Sequence, residues 1–234
     1  MHAKYLGNDL FIFGSIFYLL CFEILDQDAH SNLQAIWALI KQEYRRQQTV
    51  HRFRAFSRLT MFIRKDGIHK LRGKAAEVKA LGPVLLPVWT RFADPGSAVH
   101  QRVSLLLKLT CRLEELLQRH KDEVVLPAPA ARQFADTAFN MCHVQMLLFQ
   151  HYQAQEDCPC LFNITPKAHM LCHSALLAEH INPRLVWCFG GEAQMQQVQR
   201  LLKACASGLG PTASTVKAAV HARLGMHLQF LKHA

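Results

Sequence analysis

Apolar residues recur along this chain at helical rather than alternating spacing, and the breaks between them predict about eight helices. Residues 10–22, LFIFGSIFYLLCF, are hydrophobic nearly all round, which predicts a helix buried on more than one side and ending near Asp26. Asn8 or Asp9 stands where an N-cap would. Ser31 or Asn32 would cap a second helix in which Leu33, Ile36, Trp37 and Ile40 share a face. Arg45 and Arg46 close its carbonyl end, where cations suit the helix dipole. In residues 49–79 aromatic and basic positions interleave in an amphipathic pattern, with Asp66-Gly67 as a turn separating two helices.

Gly82-Pro83 and Pro87 predict a helix broken or kinked by proline. Asp94-Pro95-Gly96-Ser97 is a turn, followed by an amphipathic helix over 97–121 with Val103, Leu106, Leu107, Leu113, Leu116 and Leu117 on its apolar stripe. Pro127 and Pro129 mark a linker before a helix over 130–150. A further helix opens at Pro166, another near Glu192, and a last one spans 212–232 with Val216, Val220, Leu224 and Leu228 in register. With no repeat and no strand-like alternation, the pattern predicts an all-α fold. It falls into two helical regions, 1–126 and 127–234, or a single domain.

Composition places the chain among globular proteins: 234 residues, half of them hydrophobic, with mean hydropathy +0.03. A formal charge of +10 and a pI near 9.4 point to an acidic partner, with nucleic acid foremost, or to a charge that only keeps the protein soluble. The cysteines at 21, 111, 142, 158, 160, 172, 188 and 205 mostly sit inside apolar helical patterns. That spacing suits free thiols in a reducing compartment, nuclear or cytoplasmic. The apolar run at 10–22 is shorter than a membrane span and is followed by Glu23, Asp26 and Asp28 without a small-residue cleavage site. A buried helix is expected there, and neither a membrane partner nor secretion.

Candidate chemistry concentrates in two stretches. Arg52, Arg54, Arg58, Arg64, Lys65, Lys70, Arg72 and Lys74 alternate with Phe53, Phe56, Leu59 and Phe62. Such a segment could grip phosphates and stack on bases, or be the solvated basic face of an ordinary helix. In the second stretch, residues 162–202, His169 and His173 are one turn apart on one helical face. They could bind Zn2+ with Cys172, or with Cys158, Cys160 or Cys188, although Met170 stands where an HExxH motif has its glutamate. Packing is the alternative role. Glu192, after Gly190-Gly191, suits the first turn of a helix, or could ligate a metal if aspartates from elsewhere joined it. Arg184 could position a phosphate or pair with Glu179 or Glu192. No phosphate-binding glycine loop and no nucleophile elbow is present.

Two of these stretches resemble transposases of the CACTA and Kyakuja-Dileera-Zisupton kind. The start, MHAKYLG, resembles their MHxxxLG signature. Lys167, His169 and His173 resemble a KxHxxxH that is followed by Pro183, by Trp187-Cys188-Phe189 and by Glu192 heading the last catalytic helix. The chain also looks like proteins of protist genomes rich in mobile elements, sharing KYLG at 4–7, GKAAE at 73–77, TPKxHML at 165–171 and NPRxxWCF at 182–189.

The resemblance implies a helical insertion plus the last catalytic helix of an RNase H-like fold, with the sheet upstream. It implies Glu192 as the one inherited catalytic carboxylate, with Mg2+ as cofactor only where upstream aspartates complete the site. It further implies DNA as partner, with a second copy or a full-length transposase as a protein partner. The expected function is thus a truncated, transposase-derived, nucleic-acid-associated helical protein without nuclease activity of its own. The alternatives are a helical protein-interaction module and a zinc-binding structural protein.

Overall fold

The computed structural model describes residues 2–64, 67–155, 160–186, 199–200, 202–205 and 210–233, and the chain divides into two compact units, Met1–Val186 and Trp187–Ala234. Among the described residues the fold is all helical, its one strand-like feature being an isolated antiparallel bridge between Ile63 and His69. In the first unit the helices are α1 (Lys4–Ile24), α2 (Ala29–Arg46), α3 (Ala75–Thr90), α4 (Ala98–Arg119), α5 (Ala128–Gln153) and α6 (Pro166–Leu176). In the second unit α7 runs Pro211–His233.

Helix α1 is the core. From Leu10 to Cys21 every side chain but Tyr18 is buried, as a stretch hydrophobic all round requires. The helix starts earlier than its apolar run, because Lys4–Asn8 forms a wide π turn in which Asp9 N–H reaches back to the Lys4 carbonyl. Asn8 and Asp9 therefore do not cap the helix; they lie inside it and are buried. At this length α1 is long and apolar enough to cross a membrane, and 83% of its most apolar window is buried inside the protein.

The cap of α2 is Asp28, whose carboxylate accepts from the His30 and Ser31 amides at 3.0 and 3.1 Å. Asn32, expected as a cap, is buried one turn in. It donates to the carbonyls of Cys21, Leu25 and Gln27, tying α2 to the end of α1. Two further expectations change. Helix α3 is unbroken although Pro83 and Pro87 both lie inside it. Pro87 has no N–H for the Pro83 carbonyl, and Gln47 at the end of α2 supplies the missing donor at 3.1 Å.

The two helices expected between 49 and 79 are absent before Ala75. One 3-10 turn, Leu59–Met61, interrupts an otherwise irregular segment that reverses at Gly67, whose φ is +75°. Aromatic anchors hold this segment against α1: Phe56 stacks on Phe17 at 4.4 Å between centroids, and Phe53 and Phe62 surround it. Burying these rings is worth more than helical hydrogen bonds that water can replace.

The long helices follow their periodicity. Ser97 caps α4, and Val103, Leu106, Leu107, Leu113, Leu116 and Leu117 are buried as one stripe. Helix α4 packs on α5, which carries α6 on its other side. Between α5 and α6, Phe162 adopts a left-handed φ of 54° while fully buried. Its N–H donates to Ser15 Oγ at 2.7 Å and its carbonyl accepts from Gln145, so both sides of the strained residue are held. In the second unit, Val216, Val220 and Leu224 are exposed along α7.

Candidate functional site

A cationic, aromatic groove opens beside the C-terminal half of α2. Trp37, Lys41, Tyr44 and Arg45 form one wall, and Arg52, Phe53 and Arg54 of the irregular segment form the other, enclosing roughly 360 Å³. The helical register of α2 dictates the first wall, since residues 37, 41, 44 and 45 recur at one-turn spacing. The second exists because Phe53 turns inward to meet Phe56 while its neighbours Arg52 and Arg54 point to solvent.

Four cations line this groove and, among its described lining residues, no carboxylate. Trp37 is half-buried, with the Lys41 ammonium 6.0 Å from its ring centre, a cation–π arrangement. Tyr44 is buried and its hydroxyl is pushed up to about 12, chiefly by burial; the Phe53 backbone and then Arg52 pull the other way, while the Glu77 charge adds to the rise. The tyrosine therefore stays neutral and serves as a wall.

Of the basic residues singled out in the sequence, Arg52, Arg54, Arg58 and Arg72 are exposed. Arg64 turns back to donate to the Leu71 carbonyl at 3.3 Å. Lys70 lies 5.2 Å over the Phe11 ring, with burial, Lys167 and Arg64 lowering its pKa. Lys74 is the N-cap residue of α3, its amide held by Glu77 at 2.9 Å. Lys65 lies outside the described residues. Arg184 belongs to another place, donating to Gln118 on α4 and acting electrostatically on Tyr5 and Lys79. Lys41 was not singled out and Arg45 read only as a cation at the carbonyl end of its helix; the cue for both was Trp37, one turn before Lys41 and two before Arg45 on the same side.

A buried charge cluster lies at the start of α1. Lys4 is fully buried between Asp9 at 2.8 Å and Glu114 at 3.1 Å. Tyr5 donates to the other Glu114 oxygen at 3.0 Å, and Lys79, just beyond GKAAE, approaches it at 3.6 Å. Lys167 donates to the Leu6 carbonyl at 2.6 Å while its stem covers Gly7. Asn182 of the Asn-Pro-Arg turn is fully buried and donates to the carbonyls of His120 and Glu123.

His169 and His173 are exposed on α6, their Nε2 atoms 2.8 Å apart. Cys172 does not join them. It faces Cys142 on α5, whose thiol is pushed up to about 12 by burial first and by Cys172 second. Cys160 is exposed, and among the described residues no three histidine, cysteine or carboxylate groups gather as a metal site. Cys158, Cys188 and Glu192 lie outside the described residues. No known protein family, curated protein or solved structure matches this chain.

Proposed function

We propose that this protein associates with nucleic acid through the groove between α2 and residues 52–54. The observation that carries the reading is the grouping of Lys41, Arg45, Arg52 and Arg54 around Trp37, with no carboxylate among the described lining residues. Cations there suit the phosphates of a strand, and the tryptophan face suits a stacked base, a combination that favours unpaired nucleotides. Arg58 and Arg72 extend the exposed positive charge of the same segment. Fluorescence anisotropy with labelled single-stranded and duplex DNA tests it. Trp37→Ala should weaken single-stranded binding by about 1–3 kcal/mol. Equal binding by the variant would count against a stacked base.

The finer reading is that the chain derives from the C-terminal part of an RNase H-like transposase, with Glu192 the one catalytic carboxylate its sequence matches. Lys167 bonded to the Leu6 carbonyl and packed on Gly7 joins the KYLG and TPKxH stretches in the fold, which supports reading those two as parts of one core. The genomic DNA read in frame upstream of Met1 tests this ancestry. An aspartate codon directly before Met1, preceded by a strand-rich region, would support it; an unrelated promoter and leader would refute it.

A second reading, a helical interaction module, draws on the exposed Val216, Val220 and Leu224 of α7. Concentration-dependent self-association abolished by Val220→Asp would favour it.

A further inference from the structure

On α6 two exposed histidines converge where solvent could have separated them. The rings of His169 and His173 stand nearly perpendicular, with centroids 4.3 Å apart and Nε2 atoms at 2.8 Å. A single ring-to-ring hydrogen bond in solvent is worth only about 1 kcal/mol. The same spacing has a second use. Two imidazole nitrogens bound to one metal at about 2.0 Å each and at a right angle lie about 2.8 Å apart, whereas tetrahedral bonding would separate them by about 3.3 Å. Right-angle nitrogen ligation is the preference of Cu2+ and Ni2+, and copper also heads the affinity order of the divalent first-row metals.

We propose that His169 and His173 form a two-imidazole chelate for a tetragonal divalent transition metal, Cu2+ foremost, with water in the remaining positions. Binding shifts the proton of the donating ring from Nε2 to its own Nδ1 through solvent, so both rings stay neutral and both Nε2 lone pairs are given to the metal. Cys172, between them in sequence, stays out because it is turned to Cys142. The scaffold is rigid: α6 opens with Pro166, and Ala168, Leu171 and Ala175 bury its other face. The proposal is independent of the nucleic-acid reading, sharing no residue with the groove.

Titration of the purified full chain with Cu2+, followed by calorimetry and electron paramagnetic resonance, tests it. One tight equivalent with nitrogen hyperfine structure and no thiolate charge-transfer band is expected. His169→Ala and His173→Ala should each weaken that equivalent on the order of 100-fold, the loss of a two-point attachment. Both side chains are exposed, so an unchanged far-ultraviolet circular dichroism spectrum should accompany that loss, and Cys172→Ser should bind as the parent does. Equal Cu2+ affinity in the histidine variants, or loss in Cys172→Ser instead, would overturn the proposal.

Discussion

Lys4 and Asp9 form an ion pair at 2.8 Å with both side chains wholly withdrawn from solvent. The π turn at the start of α1 makes this contact, because its i to i+5 hydrogen bond stacks residues five apart. Burial alone would lower the Lys4 pKa, but Asp9 and Glu114 together raise it above the ordinary lysine value. The Asp9 pKa is raised as well, to about 6, by burial that Lys4 only partly offsets. The lysine is thus the member on which two carboxylates depend.

Lys4→Met should therefore destabilise the protein by about 3–5 kcal/mol, as expected when a buried charge loses its partner. Asp9→Asn should cost much less, since Lys4 keeps Glu114. Urea denaturation midpoints of the two variants check the order, and an equal or reversed order would contradict it.

The same aspartate predicts a pH dependence. Its folded pKa of about 6 lies above its ordinary value of 3.8, so the folded state holds more protons between those values. The contribution of Asp9 to stability should then fall as pH rises from about 4 to 6 and level off above. Subtracting the urea stability of Asp9→Asn from that of the parent across this range isolates the term; a difference that grows with pH would reverse the sign.

Gly14→Ala offers a test of how closely α1 is packed. In a free helix this change would stabilise by up to about 1 kcal/mol. Here the new Cβ would lie 2.9 Å from the Leu71 amide nitrogen and 3.0 Å from the His69 carbonyl, backbone atoms that cannot swing aside. Thermal unfolding should show a net loss of about 1–3 kcal/mol.

Asn182 joins the Asn-Pro-Arg turn to the end of α4 through two side-chain bonds and its own amide to the Val124 carbonyl. Asn182→Ala takes its partner from the Glu123 carbonyl and from the Arg184 amide, while the His120 carbonyl keeps the Glu123 amide, and should cost about 1–3 kcal/mol, read as a lowered melting temperature.

Periodicity made the long helices legible, because α4 and α5 bury one stripe each and the pattern is local. So was the shared face of His169 and His173. The start of α1 was not: Asn8 and Asp9 look like caps beside an apolar run, and nothing local shows that Glu114 will accompany Asp9 on a buried Lys4. Residues 49–74 misled for a related reason. Phe53 and Phe56 have helical spacing, yet Phe56 packs on Phe17 and Trp37 with Phe53 edge-on against it, and tertiary ring packing overrode local preference. The groove itself joins two elements whose pairing no local pattern encodes.

The most direct test of the central claim is the salt dependence of DNA binding for the parent and for Arg52→Ala/Arg54→Ala. The account predicts that the logarithm of affinity falls linearly with the logarithm of salt concentration. Removing the two arginines should reduce the slope by about 1 each. Binding that is flat from low to physiological salt, or a double variant whose slope matches the parent's, would contradict it.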